Sequence, residues 1–301
     1  MPKFEIKHRK TGDVIFKGTA NSFKELVAAA ARTGLDASPA SQVLLTIRFK
    51  KPTKARLYNA DLVNADLSDV DLSGALLTAS DLSGADLSGS ELIGTDLTRT
   101  DMGRADFKKA NLTNALMGEA KLTEARFESA RLENTDFTAA DLTDADITNT
   151  KLGRAILDKA NLTGVKLTSS DLSKIQLAGN VMTGADLQHA NVTNAKLIGC
   201  DLTEANFFKA DLTGVSLAKS KLNGANFTDA VLNDADLSGA DLRGAVFSGA
   251  KLERAALTKV DARGAKFDGA KMSKSIMSNS DFSGCDFSDA DLTATILAQS
   301  N

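Results

Sequence analysis

The chain has 301 residues, 43% hydrophobic but only 5% aromatic, with two Cys, two His and a formal net charge of −3. That length suits one large domain or two ordinary ones, with a core of Leu and Ala rather than rings. No stretch approaches the roughly 20 apolar residues that span a bilayer, two cysteines make neither a disulfide framework nor a zinc site, and the basic opening from Met1 to Lys10 leads into no apolar signal block, so a cytoplasmic protein is expected.

Charge divides the chain. Residues 1–54 carry 11 basic and 4 acidic side chains, a net of +7, whereas residues 55–301 carry 25 and 35, a net of −10. Such asymmetry marks two modules, and all three prolines (Pro2, Pro39, Pro52) fall in the first. Residues 1–54 read as a small basic α+β module. Phe4, Ile6 and His8 alternate with charged residues, Lys10-Thr11-Gly12-Asp13 is a turn signal, and Val14-Ile15-Phe16 completes a hairpin. Ser22-Phe23-Lys24-Glu25 fits a capping box that opens a helix, with Leu26, Val27 and Ala30 on its apolar stripe and Gly34 at its end. Val43, Leu45, Ile47 and Phe49 alternate with more polar residues, which predicts a strand over about 43–50.

From Ala55 onward the chain repeats every five residues. Stepping by five from Leu57 to Leu297 gives 49 centres, of which 48 are Leu, Ile, Val, Met or Phe and one is Ala262. Two positions before the centre, 30 of 49 residues are Ala, and the position between is Asp or Asn in 26 of 49. Two inward residues two apart, with the next inward residue three later, describe a short extended side followed by a corner. A helix would need a period near 3.6. Nine centres are Phe, and seven of them (all but Phe137 and Phe282) fall in one class when positions 20 apart are aligned. The coil is therefore expected to have four sides, and about 12 coils at about 4.8 Å make a rod of about 58 Å.

These unbroken Ala-Asp/Asn-Leu-X-X repeats, as in Ala85-Asp86-Leu87-Ser88-Gly89, resemble the pentapeptide-repeat proteins over about four fifths of the chain. The resemblance implies an all-β solenoid, a right-handed quadrilateral β-helix over residues 55–301. The family includes DNA-mimicking proteins that act on type II topoisomerases, and secreted effectors. Its quinolone-resistance members interrupt their coils with loops, and this sequence has no such insertion.

A purely local role for the recurring Asp predicts equal charge on every side. Summed by side, the repeats instead carry +1 on the side of Leu57, −6 on that of Leu62, −5 on that of Leu67 and 0 on that of Leu72. Asp61, Asp81, Asp101, Asp141, Asp201 and Asp241 stack on the first acidic side, and Asp66, Asp86, Asp106 and Asp146 on the second. A duplex of about 58 Å bears roughly 34 phosphates against a net of −11 on these two sides, and Lys121, Lys221, Arg104, Arg243 and Arg263 interrupt them. The leading reading is a nonenzymatic protein-interaction module whose acidic sides bind a basic, DNA-binding-type surface, as in modulation of DNA gyrase or another type II topoisomerase. The alternative is a structural or effector rod docked to a larger assembly through residues 1–54.

Leu292 and Leu297 on the last coil, with Ile276 and Ile296 on the adjoining wall, gather apolar surface, so a homodimer through C-terminal ends is expected, the alternative being a frayed last coil. Cys200 and Cys285 occupy the small inward position and read as core residues. His8 and His189 have no nucleophilic or metal partner. No cofactor, metal, membrane or direct nucleic-acid contact is expected.

Overall fold

The computed structural model describes residues 3–8, 14–19 and 56–301. The expected turn at 10–13, helix at 22–34 and strand at 43–50 lie outside the described residues. The chain forms two compact units, Met1–Asp146 with Arg154–Ile156, and Ile147–Gly153 with Leu157–Asn301.

Each unit is built from right-handed four-sided β-helical coils. The residue before each centre pairs in parallel with the residue 20 further on, as in Asp61↔Asp81, Asp66↔Asp86, Asp71↔Glu91 and Leu76↔Asp96 in the first unit, and Asp186↔Asn206 and Asp201↔Lys221 in the second. The backbone alternates its partners: Leu62 N–H donates to Asp81 O at 2.8 Å, while Asp81 N–H reaches back to Ala60 O at 2.9 Å. A turn closes each corner, with Ala60 N–H on Leu57 O at 3.2 Å and φ of 54° at Asn59. Positive φ at the third turn residue is the type II requirement that Gly meets without strain. Asn59 holds it because its own N–H is tied to Thr78 O at 3.1 Å in the next coil.

Inside, the centres from Leu57 to Phe282 are all buried, Ala262 included. The Phe column stacks at the coil spacing. Phe107 and Phe127 lie 4.8 Å apart with planes 5° from parallel in the first unit, and Phe207, Phe227, Phe247 and Phe267 follow at 4.8, 4.7 and 4.9 Å in the second. Off the column, Phe137 meets Phe127 edge-on at 6.0 Å, and Phe282 meets Phe267 at 6.1 Å.

The small inward residue does more than fill space. At several positions where it is Ser, Thr or Asn, its donor reaches the carbonyl of the centre 23 residues earlier: Ser80 Oγ to Leu57 O at 2.8 Å, Thr100 Oγ1 to Leu77 O at 3.1 Å, Asn180 Nδ2 to Leu157 O at 2.7 Å and Ser220 Oγ to Leu197 O at 2.7 Å. These bonds satisfy polar groups that the core would otherwise leave dry.

The expected hairpin is present as β1 (Lys3–His8) and β2 (Val14–Thr19), antiparallel, with Ile6 opposite Phe16. β1 also pairs antiparallel with β3 (Ala60–Asp61), placing Lys7 opposite Asp61 and His8 opposite Ala60. The hairpin thus covers backbone edge on the first coil, where an exposed edge would invite foreign strands.

Candidate functional site: the acidic sides

Asp at the position before the centre points outward because its neighbours on either side, Ala60 and Leu62 for example, point into the core. Its two carboxylate oxygens have different partners. Oδ1 accepts the backbone N–H two residues on: Ser68 to Asp66 at 3.1 Å, Ser83 to Asp81 at 3.0 Å, Ser88 to Asp86 at 2.9 Å, Thr143 to Asp141 at 3.2 Å. Asn does the same, as in Thr113 N–H to Asn111 Oδ1 at 3.3 Å and Thr228 N–H to Asn226 Oδ1 at 3.0 Å. The recurrence of Asp or Asn is therefore a turn requirement. What Asp adds over Asn is charge and a second acceptor, Oδ2.

Cations of the chain itself find that second oxygen. In the first unit Lys121 reaches Asp101 Oδ2 at 3.5 Å and Arg126 reaches Asp106 Oδ2 at 3.0 Å. In the second, Lys221 reaches Asp201 Oδ2 at 3.0 Å and Arg243 reaches Asp241 Oδ2 at 2.6 Å. At least four of the ten aspartates expected to meet a foreign surface thus already meet a cation of their own chain. The second unit extends this into a ladder, in which Arg243 lies 3.8 Å from Asp261, and Arg263 lies 2.7 Å from Asp261 and 3.9 Å from Asp281. The hydrogen bond from Arg243 holds the Asp241 carboxyl below its usual range, as Arg263 does for Asp261. Burial pulls Asp201 upward, but the Thr203 hydroxyl and Lys221 outweigh it and hold it low.

The first unit is arranged differently. Between Leu57 and Thr98 the sequence has eight acidic residues, Asp61, Asp66, Asp69, Asp71, Asp81, Asp86, Glu91 and Asp96, and no Lys or Arg. Stacked pairs then intervene: Arg99 with Glu119 at 2.9 Å, Arg104 with Glu124 at 3.1 Å and Lys108 with Glu128 at 2.6 Å. A second stretch without cations, between Arg131 and Lys151, holds Glu133, Asp136, Asp141, Asp144 and Asp146. The acidic residues of both these stretches belong to the first unit.

The four residues expected at a dimer contact lie in the second unit. Ile276 and Ile296 pair across adjacent coils and are 40% and 52% exposed, Leu297 is 46% exposed and Leu292 is half-buried. Leu292 and Leu297 line a hollow of about 270 Å³ with Met277, Phe282, Phe287, Ser300 and Asn301.

The remaining candidates are local. Cys200 donates its thiol to Leu177 O at 2.9 Å, and burial pushes its pKa up to about 11. Cys285 is half-buried, its thiol lies 2.9 Å from Ala262 O, and burial raises it as well. Exposed His189 meets the Phe208 ring edge-on at 5.8 Å, and Lys209 Nζ sits 4.9 Å from the same ring. Sequence reasoning passed over Phe208, an aromatic residue just after a centre, although the repeat itself marks that position as outward. Among the described residues no group of His, Cys, Asp and Glu could hold a metal ion, and no helix is long and apolar enough to cross a membrane.

A family model described as pentapeptide repeats matches in eight copies, over residues 55–92, 80–118, 120–158, 160–197, 185–224, 210–249 and 245–284. The chain is similar to HetL, a pentapeptide repeat protein involved in heterocyst differentiation regulation in the cyanobacterium Nostoc sp. strain PCC 7120, at 28% identity over 80% of this chain and 89% of that one, with a TM-score of 0.37. Trypsin-treated QnrB1, a plasmid-mediated fluoroquinolone resistance protein, is 19% identical over 60% of this chain and 87% of its own, with a TM-score of 0.34. No curated protein matches. With TM-scores this low the superpositions carry no argument, and the likeness rests on the repeats.

Proposed function

The chain belongs to the pentapeptide-repeat family, and on that footing we propose that it is a nonenzymatic, cytoplasmic interaction protein whose first unit binds a basic, DNA-binding-type surface on another protein. A type II topoisomerase such as DNA gyrase is the first candidate. The observation that carries this reading is the division of labour in carboxylates of the first unit. Oδ1 belongs to the turn, and Oδ2 is the oxygen that Lys121 and Arg126 seek out. Residues 57–98 repeat the same acceptor with no Lys or Arg between them. A partner's lysines and arginines would add to the contacts that these carboxylates make within the chain. The second unit, with its Asp241–Arg243–Asp261–Arg263–Asp281 ladder, is a poorer surface for the same partner.

The test is a gyrase supercoiling assay with the whole protein and with an Asp61→Asn, Asp81→Asn, Asp141→Asn, Asp146→Asn variant. Asn keeps the turn bond, as Asn111 and Asn226 do, so the variant changes charge with little change of backbone. Native protein should alter supercoiling, the variant should not, and the effect should fade between 50 and 300 mM salt, because the Debye length shrinks with ionic strength. A native protein without effect refutes the topoisomerase assignment. A variant as active as the native protein refutes the acidic surface.

A further inference from the structure

On the side of Leu57 the residue before each centre follows a pattern of its own. Parallel pairing stacks Leu76↔Asp96, Asp96↔Leu116, Leu116↔Asp136 and Asp136↔Ile156, so apolar and acidic residues alternate from coil to coil down one wall of the first unit. At every other such position of that unit the residue is charged or Asn. Leu116 and Ile156 are 45% and 46% exposed, and Leu76 is half-buried. The turns fix the intervening carboxylates: Asp96 Oδ1 accepts the Thr98 N–H at 3.0 Å, and Asp136 Oδ1 accepts the Thr138 N–H at 2.9 Å and its hydroxyl at 2.6 Å. Beside Leu116 the wall is bare backbone at Gly118, where a Cβ would lie 3.6 Å from Thr138 O and 4.0 Å from Thr98 Cγ2.

We infer that this wall docks an amphipathic helix of another protein, laid along the coil axis, with an apolar residue at every seventh position and Lys or Arg midway between. Coils about 4.8 Å apart bring an apolar residue round every second step, about 9.6 Å. A helix rises about 10.5 Å in seven residues and about 5 Å in three or four. Its apolar residues therefore fall on Leu76, Leu116 and Ile156, and its cations on Asp96 and Asp136. The mismatch grows to only about 2 Å over the three apolar contacts, within the reach of Leu and Lys side chains. A strand on the same line presents a residue about every 6.8 Å and is out of register by its second contact. Carboxylates between the apolar residues select a basic stripe rather than a continuous apolar one, and Gly118 leaves room for the side chain that packs on Leu116. This wall is not one of the two acidic sides, and the inference does not rest on the function proposed for them.

The probe is a fluorescein-labelled peptide of three heptads, each Leu-Ala-Gln-Lys-Ala-Ala-Gln, compared with an isomer of heptad Leu-Ala-Gln-Ala-Ala-Lys-Gln, whose cations lie on the opposite face of the helix. In an anisotropy titration of the full chain at about 50 mM salt, the first peptide should bind about tenfold more tightly than the isomer, the gain of two ion pairs. An Asp96→Asn, Asp136→Asn variant should bind both peptides alike; Asn keeps the turn bond, as at Asn111. A Leu116→Ser, Ile156→Ser variant, changed only at exposed positions, should lose about tenfold for both peptides through the apolar area no longer buried. An Asp81→Asn, Asp101→Asn control on an acidic side should bind like the native protein. Equal affinity of the native protein for the two peptides, or no saturable binding up to about 1 mM, overturns the inference. So does a Leu116→Ser, Ile156→Ser variant that binds like the native protein, or a control that loses as much as the Asp96→Asn, Asp136→Asn variant.

Discussion

Replacing Phe227 by Ala tests the coil geometry at its most heavily loaded point. The ring is fully buried, and it stacks on Phe207 at 4.8 Å and on Phe247 at 4.7 Å. Truncating a buried Phe to Ala costs about 3–5 kcal/mol through lost transfer energy and residual cavity. Here the neighbours are held at the coil spacing by backbone bonds on both sides, Phe227 N–H to Val246 O at 2.6 Å and Asn226 N–H to Ala205 O at 2.9 Å, so the site collapses little and the upper end applies. Phe227→Leu keeps most of the volume and loses two ring contacts, each worth about 0.5–1.5 kcal/mol beyond burial, for a cost of about 1–3 kcal/mol. Lys251→Ala, an exposed change on the adjoining side, should stay within about 0.5 kcal/mol. With a slope of about 2 kcal/mol per molar urea, the Ala variant should lower the midpoint, followed by far-UV circular dichroism, by about 2.5 M. A Phe227→Ala midpoint no lower than that of Phe227→Leu would mean that the rings do not share one column, and the four-sided register would fall with it.

Other outcomes follow from individual contacts. Ser80→Ala should cost about 0.5–1.5 kcal/mol, because Leu57 O and Ala60 N–H lose the hydroxyl they share but keep their bond to each other, whereas Ser275→Ala should be neutral or stabilising in the same melt, since the buried Ser275 Oγ has no hydrogen-bond partner. A thiol reagent should modify half-buried Cys285 first and Cys200 only on unfolding. Because burial raises Cys200 to about 11, its contribution to stability is complete below the unfolded thiol value of about 8.5 and is lost as pH rises from there through its folded value, so its labelling between pH 7 and 9 should not follow that of an exposed thiol. Light scattering should give twice 31.6 kDa if a second copy covers the hollow beside Leu292 and Leu297, and Ile296→Asp with Leu297→Asp should restore the monomer; a native monomer at high concentration refutes the contact.

The coil was legible because a ring stacks on its like only at the coil repeat: seven Phe in one class of 20 already define the register that the pairing of Asp61 with Asp81 displays. Which aspartates are neutralised was half legible. Lys121 follows Asp101 by 20 and could have been paired with it from the period alone, but Arg243 both turns back on Asp241 and reaches forward toward Asp261, and that choice depends on side-chain reach. The inward Ser and Thr advertise small size, not a hydrogen bond to a carbonyl 23 residues earlier, which appears only once the corner has been placed. Pairing of β1 with β3 left no periodic trace, because Ala60–Asp61 reads in sequence like any other repeat.

The choice between Asp and Asn connects these observations to function. Both residues make the turn bond, so a chain selected only for folding could place Asn at the outward position and avoid stacking like charges one coil apart. Two carboxylates about 4.8 Å apart repel by about 1 kcal/mol even at the dielectric of water. The second unit relieves that strain with Asn161, Asn191, Asn206 and Asn226 and with the arginines of its ladder. Residues 57–98 instead hold Asp at 61, 66, 71, 81, 86 and 96, with no Asn at the same position. Asp retained where a neutral residue would serve the turn equally well is the pattern that the proposed binding of a basic partner requires.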